Sequence, residues 1–227
     1  MKRVITVLLA ALLVLSLAAC GSRVETKKLA GTWTCTIDVT DRMNAAAEQA
    51  LGLSAADGTA QMPLQMVLTV TEDGTYTLRY DSDAVRTALD AYAAALHPAA
   101  VESVYAAAEE QGLSREEYDA AMEKAGITMD DMVAAIFAGV DEEELLSLLT
   151  GRSAAITGYC KAEGGQLYLA DTAAELAETA DCLSYTLSDG TMTWTDAQGE
   201  LSSQLTEQEQ ELLRVPLTWT KRAEESK

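Results

Sequence analysis

The chain has 227 residues, 48% of them apolar, and a formal net charge of −20 with a single histidine, His97. Such acidity opposes binding to nucleic acid, whose phosphates need Lys and Arg, and with one histidine and no Cys-x-x-Cys a zinc site or a histidine-based triad has almost nothing to be built from. The length suffices for one large domain or two small ones with a real core.

The first nineteen residues read as an export signal. Lys2 and Arg3 make a positive start, and Val4 to Leu17 is apolar apart from Thr6 and Ser16. That run is shorter than the roughly 20 residues a membrane-spanning helix needs. Leu17-Ala18-Ala19-Cys20 then resembles the lipobox of bacterial lipoproteins. The resemblance implies cleavage before Cys20, diacylglycerol on its thiol, and acylation (palmitate or a similar chain) of the new amino group. The expected address is the bacterial cell membrane, lipid-anchored on the extracytoplasmic face. Residues 1–19 hold only two charges, both basic, so the mature chain carries −22. Residues 20–28 read as a tether to the domain that follows.

Thr32 to Thr40 alternates, with Trp33, Cys35, Ile37 and Val39 on one face, and reads as a half-buried strand. A helix is expected at 41–51. Residues 64–80 read as a hairpin turning at Glu72-Asp73-Gly74, with Met66 and Leu68 sharing a face in one arm and Tyr76 and Leu78 in the other.

Residues 82–151 change period. Val85, Leu89, Tyr92 and Leu96 recur at helical spacing, and a short unit repeats at Gly112–Glu117, Gly126–Asp131 and Gly139–Glu144. Each unit has a glycine that can end a helix, an apolar residue that packs back, a Ser, Thr or Asp that caps the next helix, and an acid three places on. Helices are predicted near 83–96, 98–111, 115–125, 129–138 and 142–150, with Pro98 at a first turn. Residues 82–150 hold fifteen acids against three bases. Asp141 to Glu144 lacks the spacing of a calcium loop and reads as a helix start. No metal or other cofactor is expected.

Strand patterns return at Ile156–Lys161, Gln166–Ala170, Leu183–Leu187, around Met192 and Trp194, more weakly at Gly199–Gln204, and at Val215–Arg222. Seven or eight antiparallel strands hide their edges most easily in a barrel or sandwich. Export permits a disulfide. Of Cys35, Cys160 and Cys182, the last two flank one hairpin-like segment and are the expected pair, leaving Cys35 a buried thiol.

Gly31-Thr32-Trp33 resembles the Gly-x-Trp start of lipocalins and lipocalin-like domains. Thr71 to Tyr76 is similar to their polar-Gly-Thr-Tyr hairpin, and Leu217 to Arg222 to their last strand. The resemblance implies that Trp33 plugs one barrel end beneath Lys221 or Arg222. The helix at 41–51 is more like fatty-acid-binding proteins. The expected fold is α+β: an antiparallel lipocalin-like barrel or half-barrel over 29–222, interrupted by helices at 82–151, with a tail at 223–227.

Two functions follow. One is a carrier of a small apolar ligand, lined by Met66, Leu68, Tyr76, Leu78, Tyr185, Met192 and Trp194; the same seven residues also read as packed core. The other is a protein-interaction module docking a partner through its acidic helices. No Gly-x-Ser-x-Gly, His-Glu-x-x-His or phosphate-binding glycine loop is present, so no catalytic residue is assigned.

Overall fold

The computed structural model describes residues 25–53, 60–137, 155–178, 182–198 and 215–223. Eight strands stand among them: β1 Gly31–Asp38, β2 Pro63–Val70, β3 Thr75–Tyr80, β4 Ile156–Glu163, β5 Gln166–Ala170, β6 Cys182–Ser188, β7 Thr191–Gln198 and β8 Leu217–Lys221. They pair in sequence order and close into a barrel, β8 running antiparallel to β1 with Lys221 opposite Trp33. Closure removes both edges, which a half-barrel would have left unpaired. The weak strand candidate at 199–204 lies outside the described residues.

The chain divides into two compact units. One comprises 1–35, 66–80 and 154–227, and the other 36–65 and 81–153. Strands β1 and β2 run from one into the other.

In the first unit, alternation decides the core. Trp33 and Cys35 of β1, Met66, Leu68 and Val70 of β2, Cys160 and Ala162 of β4, Met192 and Trp194 of β7, and Leu217 and Trp219 of β8 are all buried. One end is closed by a short helix, α1 (25–29). The Trp33 indole N–H donates to the Leu29 carbonyl at 2.7 Å, and the Lys221 ammonium lies 5.3 Å from the Trp33 ring centroid. Gly31 permits this approach. Its φ is +128°, and a Cβ there would stand 2.6 Å from the Lys221 side chain. The Ala162 N–H donates to buried Thr26. Residues 25–28, expected as tether, are therefore part of the fold.

The second unit holds α2 (Thr40–Leu51), α3 (Ser82–Glu110), α4 (Arg115–Ala125) and α5 (Met129–Phe137). The repeat is realised as two helix junctions. Ile127 N–H bonds Met122 O and Gly126 N–H bonds Glu123 O, the paired C-terminal bonds of a left-handed glycine cap. Ser114 with Glu117, and Thr128 with Asp131, form reciprocal capping boxes. Leu113 and Ile127 do not pack back as expected; they are 39% and 42% exposed. The two helices predicted on either side of Pro98 are one, α3, with Pro98 inside it. Buried Leu96 and Ala100 flank the proline on one continuous face, and packing of that face offsets the lost backbone bond. The helix expected at 142–150 lies outside the described residues.

The expected Cys160–Cys182 bond does not form; Cys35, Cys160 and Cys182 are buried thiols outside any disulfide. The register gives the reason. Cys160 opposes Leu169 of β5 and Cys182 opposes Tyr168. Strand β5 therefore lies between them, which separates their Cα atoms by about 10 Å, beyond the ~7 Å a disulfide bridges. Adjacent residues Tyr168 and Leu169 also point to opposite faces, and so do the two thiols.

Candidate functional site

Residues opposed across an antiparallel pair share a face. Met66 opposes Tyr80 and Leu68 opposes Leu78. Tyr76 opposes Gly158, and Leu78 opposes Ile156. Tyr185 opposes Trp194, Leu187 opposes Met192, and Met192 opposes Trp219. All seven residues expected to line a ligand site, Met66, Leu68, Tyr76, Leu78, Tyr185, Met192 and Trp194, thus lie on the inner face of the barrel. A bulge in β7 helps. The register shifts between Ser184 and Tyr185, so that Trp194 rather than Thr195 opposes Tyr185.

Burial divides this face. Met66, Leu68, Met192, Trp194 and Trp219 are at most 5% exposed. On β3 to β5, Tyr76, Leu78, Ile156 and Leu169 are half-buried, apolar and open to water. Gly158 makes room beside them. A Cβ there would meet the Ala170 carbonyl at 2.5 Å and the Tyr76 ring at 2.9 Å, so the ring lies over bare backbone.

Polar groups are few and sharply placed. The Trp194 and Trp219 rings stand 4.7 Å apart, tilted by 46°. Among the described residues, neither indole N–H has a hydrogen-bond partner, and neither does the buried Oε2 of Glu25 in α1. Burial pushes the Tyr185 hydroxyl pKa up, and the charge of Glu25 adds to it. Burial likewise raises the Cys35 thiol to about 11, against a backbone hydrogen bond from Thr218. The Cys160 thiol rises to about 12 through burial and then the charge of Asp73. Such thiols are poor nucleophiles and poor metal ligands.

Among the described residues, no three His, Cys, Asp or Glu side chains gather to hold a metal ion, and no helix is long and apolar enough to cross a membrane. Cys20 lies outside the described residues. Sequence reasoning missed Trp219, Ile156 and Leu169 as parts of this face, and Glu25 as the charge that reaches it. The alternation of Leu217 with Trp219 carried a signal for the first, whereas nothing in the polar run before Leu29 marked Glu25. Comparison with known proteins finds no matching family profile, curated protein or solved structure.

Proposed function

We propose that this protein is a lipid-anchored lipoprotein of the extracytoplasmic face of a bacterial membrane, whose lipocalin-like barrel holds one small apolar molecule. The observation that carries the ligand is the half-exposed apolar strip of Tyr76, Leu78, Ile156 and Leu169 on an inward-facing surface. Covering such a strip gains about 25 cal/mol per Å² of apolar area removed from water. An eight-stranded barrel has the girth for one small ligand. The address rests on Leu17-Ala18-Ala19-Cys20. Gly31, Trp33 and Lys221 meet as a lipocalin-like start and last strand would have them meet. Four residues, 21–24, separate Cys20 from α1 and let the two lie at most about 18 Å apart, so the α1 end of the barrel faces the lipid.

Both parts are testable. Cys20→Ser should shift the protein from the membrane fraction to the soluble one; retention in the membrane, with no acyl label on the wild type, removes the anchor. The purified protein should bind the neutral fluorescent probe N-phenyl-1-naphthylamine saturably, one per chain. No binding by a protein whose circular dichroism shows it folded removes the carrier.

One observation favours a second reading. Leu113 and Ile127 stand exposed at the two ends of α4, within a strongly acidic block, as apolar anchors for a basic protein partner would. Salt-sensitive association with polylysine, weakened by Leu113→Ser with Ile127→Ser, tests it; no association, or none lost in the variant, removes it.

A further inference from the structure

The three tryptophans are treated differently by the fold. Trp33 donates its indole N–H to Leu29 O at 2.7 Å. Trp194 and Trp219, 5% and 0% exposed on the inner face of the barrel, donate to no group among the described residues. Buried donors are almost always paired, because an unpaired one forfeits its hydration without return. Phenylalanine would fill similar space without that cost. An indole nitrogen only donates, so the group these two fit is an acceptor. Their rings are 4.7 Å apart, close enough for both to serve one bound molecule.

Charge narrows the class. Glu25 presents a buried, unpartnered carboxylate oxygen, and its charge reaches Tyr185, which opposes Trp194 across β6 and β7. A carboxylate or phosphate headgroup would meet that negative charge in a medium that screens it poorly. A neutral oxygen would not.

We propose that the barrel takes an uncharged apolar molecule bearing one acceptor oxygen, such as a ketone, ester or ether, and that the indole N–H groups of Trp194 and Trp219 hold that oxygen. The proposal rests on the ligand-holding reading above and specifies the ligand's chemistry. Four half-buried apolar residues, Tyr76, Leu78, Ile156 and Leu169, take the hydrocarbon part, and the tryptophans read the oxygen. Loss of the oxygen leaves two buried donors unpaired, which is worth about tenfold or more in affinity.

The test compares three ten-carbon probes, 2-decanone, decane and decanoate, on the purified protein with 15N-labelled indoles. Trp33 is an internal control, since its N–H is already bonded. 2-Decanone should move the indole proton signals of Trp194 and Trp219, leave that of Trp33 in place, and bind about tenfold tighter than either other probe. Trp194→Phe with Trp219→Phe should abolish the preference for 2-decanone over decane while decane still binds. Equal binding of 2-decanone and decane with unmoved indole signals, as when buried water satisfies both donors, overturns this proposal and leaves the apolar-ligand reading standing. Tightest binding by decanoate overturns the uncharged class. Failure of all three to bind overturns the ligand reading itself, and this proposal with it.

Discussion

Cys35 and Cys160 are held protonated by the barrel that buries them. Their pKa values, about 11 and about 12, exceed the ordinary thiol value because the thiolate cannot be solvated there. A raised folded-state pKa contributes stability in full below the unfolded value. That contribution is lost as pH rises from about 8.5 towards the folded pKa. The folded protein should therefore leave Cys35, Cys160 and Cys182 unlabelled by iodoacetamide near pH 8, label all three in guanidinium, and lose stability progressively above pH 9. Mass spectrometry of alkylated peptides checks the first two and thermal melts across pH the third. Labelling of Cys160 or Cys182 only after a reductant is added would mean that a disulfide had formed. The burial of Cys35 was legible, because Trp33, Cys35 and Ile37 alternate within one run. That Cys160 and Cys182 stay unbonded was not, since it requires knowing that β5 runs between them.

The helices of the second unit owe their boundaries to a few side chains. Ser114 and Thr128 each accept from a backbone N–H three residues on, while Glu117 and Asp131 accept from the backbone N–H and the hydroxyl of the capping residue. Those bonds hold both carboxyl groups below their ordinary pKa values. A depressed pKa contributes stability above the unfolded value, about pH 4, and that contribution disappears as pH falls through the folded value. Helical signal should therefore fall on acidification below pH 4 before the barrel's near-ultraviolet tryptophan signal changes. Ser114→Ala should cost about 1 kcal/mol and flatten that acid dependence. An unchanged acid transition in Ser114→Ala would count against the capping account. These junctions were legible because glycine, cap and acid recur in fixed order. Pro98 misled because its local rule gave way to the face shared by Leu96 and Ala100. Helix α1 left no trace because five residues are too few to show a period, and one of its fixed points, Thr26 on Ala162, joins residues far apart in sequence.

For the molecule as a whole, period-two alternation announced a sheet and its inward face, including the seven expected lining residues. It could not announce closure, which depends on Trp33 meeting Lys221 from the far end of the chain, nor the meeting of Trp194 with Trp219, which depends on β7 lying beside β8. Closure also has a kinetic cost. Three pairs of neighbouring strands are joined by tight turns, at 71–74, Gly164-Gly165 and Asp189-Gly190, but Leu78 of β3 must find Ile156 of β4 across the whole segment 81–155. Bringing together the ends of so long a loop costs roughly 2–3 kcal/mol more entropy than closing a four-residue turn, if the intervening chain is unfolded. Helices that form first shorten the search, because they need only local contacts and form within microseconds. Among consecutive strands the β3–β4 seam thus closes over the longest loop and is the expected slow step, with helices that form first acting as its internal splint. In stopped-flow refolding, far-ultraviolet helical signal should precede tryptophan burial, and weakening the caps with Ser114→Ala and Thr128→Ala should slow tryptophan burial more than it speeds unfolding. Simultaneous recovery of both signals, unaffected by the cap variants, would place the slow step at another seam.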